Sequence, residues 1–432
     1  MENPVTNIPN NTADRPISLT HRAARQHQRD MRAVRMRRRV SAGVVVLLCL
    51  VAVTGFQLMR GLPAPTVTGP LSIERALPGT APLLPWPAEG QASVMIDGYD
   101  TASSPDQRPV PTASIAKVMT AFLFLSRYPL RADEEGPSFT VSAEEAARYP
   151  TRVANGESLT PVTTGQLFTE RQALQAVLAI SANNVADEIA RWYAGTRAAF
   201  VTEMNQTARR LGMTSTTYTD PTGFDPATVS TPADQVKLLS AALRLSEFAE
   251  LAGSSYTDRS GARHLNTNPL LGEQGVFAGK TGTTTPAGRN LVFAAHRVIA
   301  GADRLVVTAV MAQPQRPEIL RTAATTLLTA ADRSLVSTPV IRAGETVAHL
   351  DDGTGHRQPL RAAQDITATG PPGSTVKVTI EPDGALLPNA AIGSPAAHAV
   401  TTQASPHAAP VSLVTTARLH RPSLLSQLTR TR

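Results

Sequence analysis

Twenty consecutive residues, Val40 to Met59, carry no charge and follow an arginine run that ends Arg37-Arg38-Arg39. This is about the length a bilayer-spanning helix needs, so the chain divides here. By the positive-inside rule, residues 1–39 form a basic cytoplasmic segment, residues 40–59 a transmembrane helix or signal anchor, and everything beyond lies on the outer side of the cell membrane. The alternative is a secretory signal with a long basic region, removed on export. Either way the bulk of the chain is exported. The single cysteine, Cys49, lies inside the apolar run behind Leu48, a residue too large for a lipoprotein cleavage site. It reads as lipid-facing. With no other cysteine, the exported part must hold together by core packing without disulfides.

The sequence pI near 10 invites a nucleic-acid partner. However, residues 1–39 carry nine arginines against Glu2, Asp14 and Asp30, which is nearly all of the chain's net charge of +7. The rest is almost neutral. Aromatic residues are scarce, at 4%, and no basic stripe is interleaved with them, so a nucleic-acid surface is set aside.

Residues 60–84 contain Pro63, Pro65, Pro70, Pro78 and Pro82 and read as an extended linker. A catalytic-size domain follows over 85–335. Ala92 to Asp97 alternates as a strand, and Ser114 to Ser126 reads as a largely buried helix. Helical periodicity continues in Leu167 to Ile180, Val185 to Tyr193, Ala198 to Leu211 and Thr231 to Leu245. Three strands come next, Val276 to Thr283, Asn290 to Val298 and Arg304 to Met311, joined by short turns that favour antiparallel pairing. An amphipathic helix, Pro317 to Ala331, closes the domain. The expected class is α+β, an antiparallel sheet flanked by helices. Residues 338–395 alternate in short runs between Gly and Pro turns and predict a small C-terminal β domain. Residues 396–432 read as a tail, frayed or weakly amphipathic through Leu424, Leu425 and Leu428 among Arg421, Arg430 and Arg432.

Of the 41 basic residues only four are lysine: Lys117, Lys237, Lys280 and Lys377. Arginine serves wherever a solvated charge suffices, but a guanidinium cannot give up its proton, so a retained lysine can mark a catalytic amine. Lys117 ends Ser114-Ile115-Ala116-Lys117, a spacing that brings the amine to the serine oxygen on one helix face. To act as base Lys117 must be partly neutral, which burial and a nearby positive Lys280 would both favour. Ser114 at a helix start also offers its backbone N–H to an oxyanion. Lys280-Thr281-Gly282 ends a strand and runs into Thr283. There Lys280 offers a cation, Thr281 a hydroxyl, and Gly282 room for a substrate along the strand edge. Ser181-Ala182-Asn183 lies between two helices and alone looks like an N-cap. Ser374-Thr375-Val376-Lys377 repeats the first spacing in a strand-like segment, whose period of two separates the side chains. Lys237 reads as a surface charge.

Taken together, Ser114-x-x-Lys117, Ser181-x-Asn183 and Lys280-Thr281-Gly282, in that order, resemble the D-alanyl-D-alanine carboxypeptidases, low-molecular-mass penicillin-binding proteins of the β-lactamase/DD-peptidase superfamily. The similarity extends over 85–395 and includes Met204-Asn205, Leu211-Gly212-Met213, Asp220-Pro221-Thr222-Gly223 and Asn266-Thr267-Asn268-Pro269. It implies that Ser114 attacks the carbonyl of a peptidoglycan stem peptide ending in D-Ala-D-Ala, with Lys117 as base and Ser181 as proton relay. It further implies that Asn183 holds the substrate amide, that Lys280 and Thr281 bind the terminal carboxylate, and that the N–H groups of Ser114 and Thr283 form the oxyanion hole. β-Lactams would act as covalent inhibitors, and no metal or cofactor is implied. Asn184 stands where members often have Asp, and Thr267 where some carry a basic residue for the carboxylate; Arg263 and Arg289 are unranked substitutes. A β-lactamase is disfavoured because Glu203-Met204-Asn205 does not fit its Glu-x-x-Leu-Asn pattern. DD-endopeptidase, transpeptidase and a non-catalytic cell-wall scaffold stay open.

Overall fold

The computed structural model describes residues 19–59, 64–352, 356–384, 390–401 and 409–419. A long helix, α1 (Leu19–Met59), contains the whole apolar run and continues back through the arginines. From Met31 onward it is long and apolar enough to cross a membrane, and its most apolar stretch is exposed. Two short strands follow, β1 (Thr66–Thr68) and β2 (Ser72–Ala76).

The catalytic-size domain then begins with β3 (Gln91–Ile96) and β4 (Ala102–Ser103). A single 3-10 turn over Ala113–Ala116 runs into α2 (Lys117–Arg127). The helical part comprises α3 (Ala143–Ala154), α4 (Glu170–Ala179), α5 (Asn183–Ala194), α6 (Arg197–Arg210), α7 (Pro232–Ala242) and α8 (Phe248–Gly253). Next come β5 (Val276–Thr284), β6 (Gly288–Ile299), β7 (Ala302–Gln313) and α9 (Pro317–Ala331). The sheet has the order β5-β6-β7-β3-β4, antiparallel throughout. Its side chains alternate between two cores. Val292, Ala294, Val307 and Ala309 join α2, α4, α5 and α7 on one face, whereas Leu291, Phe293, Val306 and Val310 pack with Leu320, Leu327 and Leu328 of α9 on the other. Burial on both faces explains why these strands read as near-continuous apolar runs. The expected α+β class and its antiparallel sheet are therefore present.

Helix α3 went unpredicted, because Pro150 interrupts the pattern and removes a donor from the helix interior. Its start is still marked in the sequence. Ser142 accepts a hydrogen bond from Glu145 N at 3.1 Å, a side-chain N-cap.

The C-terminal strands are β8 (Val336–Ile341), β9 (Thr346–Asp351), β10 (Arg357–Ala362), β11 (Ile366–Gly370), β12 (Thr375–Pro382), β13 (Pro395–Thr401) and β14 (Val411–Thr415). Two expectations need correction here. The linker assigned to 60–84 is not free, because β1 pairs with β9 and β2 with β12. The tail assigned to 396–432 supplies most of β13 and all of β14, while its terminal leucines and arginines fall outside the described residues. The seven-stranded order is β1-β9-β10-β14-β13-β12-β2, so the two linker strands form its opposite edges. Only residues 69–71 join them, a reach of about 14 Å. A flat seven-stranded sheet would hold its edges about 29 Å apart, so this one curls toward closure around Val347, Leu350, Leu360, Val378, Ile380 and Leu413. Pairing between strands so distant in sequence leaves no local signal, and β1 has only three residues.

Candidate active site

Ser114 occupies the 3-10 turn and Lys117 is the first residue of α2. The turn differs from the continuous helix expected from Ser114, but three residues per turn stack positions i and i+3 even more directly. Lys117 is 0% exposed, and its Nζ lies 2.8 Å from Ser114 Oγ, 2.6 Å from Asn183 Oδ1 and 2.9 Å from the Thr222 carbonyl. As an ammonium it donates to all three. As a neutral amine it has two donors and a lone pair, so one contact must reverse. Neither the Asn183 oxygen nor the Thr222 carbonyl can donate, which leaves the Ser114 hydroxyl to give its proton to the amine.

The pKa of Lys117 falls to about 7, chiefly because burial penalises its charge; Asp220, Asp187 and Glu157 pull it up, and Arg152 pushes it down. Burial was the expected cause. The expected repulsion from Lys280 is seen on Lys280 itself, which burial and then the positive Lys117 hold well below the ordinary value. Lys280 is 1% exposed and makes no ion pair with a carboxylate among the described residues; its Nζ donates to the Thr281 carbonyl at 3.0 Å.

Strand β5 runs beside the serine turn. A Cβ on Gly282 would stand 2.9 Å from the backbone nitrogens of Ser114 and Ile115, so the strand and turn pack at backbone distance. Asn290, opposite Gly282 on β6, donates to the Thr112 carbonyl at 2.8 Å and ties the turn to the sheet. Thr281 Oγ1 lies 2.7 Å from Thr267 Oγ1. Thr283 is exposed near the end of β5, with Arg289 across the β5–β6 pair. Arg289 Nε donates to the Gln315 carbonyl, and Arg263 sits on a separate exposed hairpin bonded to Ser255. Position thus favours Arg289 over Arg263 as the cation beside Thr283.

Asn183 opens α5, and Ser181 precedes it with φ of 66°, a left-handed conformation unusual for serine. Ser181 Oγ is buried, and among the described residues no hydrogen bond joins it to Ser114 or Lys117. Asn184 holds the adjacent loop through both amide atoms, accepting from Thr160 N and donating to Thr160 O. An aspartate there would lack the second bond. In the repeated Ser-x-x-Lys spacing, Ser374 lies in a turn and donates to the Pro371 carbonyl while Lys377 lies on the exposed row of β12; Lys237 is a surface residue paired with Asp234.

Several supporting residues carried no assigned role in the sequence reading. Asp220, 0% exposed, accepts from Thr222 Oγ1 and from Thr228 Oγ1, shaping the loop that presents the Thr222 carbonyl. Gly223 has φ of 75°, and a Cβ there would collide with the Ala113 carbonyl at 1.8 Å, so this loop packs directly under the serine turn. Glu157 Oε2 accepts from Asn183 Nδ2 at 2.8 Å. Nothing in the local sequence marks Glu157.

The site therefore presents a hydroxyl on a buried amine of lowered pKa, with a second buried lysine nearby, as nucleophilic acyl transfer requires. Its scaffold matches solved structures of the same chemistry class. The DD-transpeptidase of Streptomyces K15 superimposes with a TM-score of 0.51 at 28% identity, covering 58% of this chain and 98% of that one. The fold is that of the DD-peptidases.

Residues 99–314, half of the chain, match the sequence model of the family described as D-alanyl-D-alanine carboxypeptidase, and the protein belongs to that family. A D-alanyl-D-alanine endopeptidase of Pseudomonas aeruginosa is 34% identical over 192 residues, 42% of this chain and 58% of the relative. The D-alanyl-D-alanine carboxypeptidase DacB2 of Mycobacterium tuberculosis is 30% identical over 238 residues, 53% of this chain and 76% of the relative. The chain spans about three fifths of the length of the first curated relatives it matches.

Proposed function

We propose that the protein is a serine-type D-alanyl-D-alanine carboxypeptidase that removes the terminal D-alanine from peptidoglycan stem peptides through an acyl-enzyme. The observation that carries this reading is the 2.8 Å contact between Ser114 Oγ and the amine of Lys117, whose pKa is about 7. Lys117 takes the hydroxyl proton as Ser114 attacks the carbonyl between the two D-alanines. The N–H groups of Ser114 and Thr283 hold the oxyanion, Asn183 the substrate amide, and Lys280 with Thr281 the terminal carboxylate. A carboxylate arriving beside Lys280 would restore the proton that burial disfavours, so ligand binding and charging of that lysine are coupled. The peptide C–N bond then breaks as the leaving D-alanine amine receives a proton through Ser181, and water cleaves the Ser114 ester.

In this reading residues 85–335 form the catalytic domain. The N-terminal helix anchors it in the cell membrane with the arginine-rich end inside, and catalysis faces the cell wall. Removal of the helix as a signal is the alternative. N-terminal sequencing of the membrane and soluble fractions separates the two.

The test is a time course of intact mass for residues 64–432 with benzylpenicillin, beside Ser114→Ala. A long-lived adduct on the wild type alone supports the proposal. Acylation of Ser114→Ala would overturn the assignment of the nucleophile, rapid adduct loss with drug hydrolysis would indicate a β-lactamase, and no adduct a scaffold. Relatives named endopeptidase make a second substrate assay necessary. Release of D-alanine from a pentapeptide, with no cleavage of a crosslinked dimer, favours the carboxypeptidase over the endopeptidase.

A further inference from the structure

We infer that Glu157 is a positioning residue for the base: its carboxylate fixes which end of the Asn183 amide faces Lys117 and adds negative charge behind that amine. This rests on the proposed acylation of Ser114. Glu157 follows α3, just past Gly156, which turns with φ of 70°. Its Oε2 takes two hydrogen bonds at 2.8 Å, one from Arg152 Nη1 and one from Asn183 Nδ2. A carboxylate can only accept, so Asn183 must present its NH2 to Glu157 and its Oδ1 to Lys117, 2.6 Å away. A flipped amide would set oxygen against oxygen at one end and donors against donors at the other.

Neutralising Arg152 does not account for Glu157. Arg152 is buried and already pairs with Glu145 and Asp187, while Arg148 and Arg197 lie at the cluster's outer side. Three carboxylates thus surround one buried guanidinium, and burial pushes Glu145 up to about 7. Of the three, Glu157 is the one bonded to Asn183. The charged groups around Lys117 are Glu157 and Arg152 from the α3 side, Asp187 from α5, Asp220 from the loop carrying Thr222, and Lys280 from β5. Glu157 is among those that favour the ammonium form, so loss of its charge makes Lys117 easier to deprotonate.

The experiment is the second-order rate of benzylpenicillin acylation against pH for wild type, Glu157→Gln and Glu157→Asp, normalised to folded protein. Glutamine removes the charge and lets the Asn183 amide flip; the acidic limb should move down by about half a pH unit and the plateau fall about tenfold. Aspartate keeps the charge but withdraws the oxygen by one methylene, so the plateau should fall while the limb stays. A purely structural role would lower the melting temperature and leave both profiles in place. The inference is overturned if the Glu157→Gln limb superimposes on wild type with a plateau within about twofold. Should that variant not fold, a Glu157→Asp plateau within about twofold of wild type overturns it instead. Absence of acylation in the wild type would defeat the proposed function, a distinct outcome.

Discussion

Gly282 runs so close to Ser114 that a methyl group on it would stand 2.9 Å from the serine's backbone nitrogen. The same methyl would meet Ile115 N and the Thr112 carbonyl at 2.9 Å, and all three are backbone atoms that cannot swing aside. Gly282→Ala must therefore separate the strand from the serine turn. Because a misplacement of about 1 Å can cost about a hundredfold in rate, we predict an acylation rate lower by about that factor with the protein still folded. Penicillin acylation at wild-type rate in this variant would show that the turn tolerates the displacement.

Lys117 connects geometry to pH. In the proposed mechanism the reactive amine is the neutral one, and its folded pKa of about 7 lies far below the ordinary 10.5. Acylation should rise through about pH 7 and level off above it. Lys117→Arg fills the space with a group that stays charged, so the rate should fall by about a thousandfold at every pH between 6 and 9. A variant within a few-fold of wild type would mean that another group takes the proton. Stopped acylation samples analysed by mass across that pH range decide both points.

What the sequence makes legible follows from how local each interaction is. Ser114 and Lys117 sit three residues apart, so a motif captures their contact, and Pro317–Ala331 carries its helix boundaries in its own periodicity. Glu157 meets Asn183 across 26 residues and Thr222 meets Lys117 across 105, contacts for which neither partner's neighbours give a sign. The same limit applied to the β domain. Val67 and Ile73 sit in a proline-rich stretch, and only the remote edges of β9 and β12 make strands of their segments.

Those two linker strands lead to a prediction about dependence between distant parts of the chain. Without residues 60–77, β9 and β12 would become open edges, and Val67, Ile73 and Leu77 would no longer cover the β-domain core. A chain begun at residue 78 should lose amide-exchange protection across residues 346–415 relative to one begun at residue 64. Its acylation rate should stay within about threefold, because the five-stranded sheet has its own two cores. Unchanged protection would show that β1 and β2 are decoration.

Glu170 provides a stability test away from the chemistry. It is the first residue of α4, 0% exposed, and neither carboxylate oxygen has a hydrogen-bond partner among the described residues. A Cβ at Gly136 would stand 2.7 Å from one of those oxygens, so the loop closes tightly over the carboxyl. Burial first, and then the charge of Glu134, push its pKa up to about 8 against a pull downward from Arg171. The folded state therefore holds this proton more tightly than the unfolded chain. The resulting stability is fully present below the ordinary carboxyl pKa of 4.5 and is lost as pH rises through about 8. Glu170→Gln cannot titrate there, whereas Lys117 and Glu145 titrate in both proteins and largely cancel in the difference. Between pH 5 and pH 9 the variant should gain about 4 kcal/mol on wild type, seen as a melting-temperature gap that widens with pH. Parallel melting curves would mean that the carboxyl finds water or a partner in solution and ionises as an ordinary glutamate.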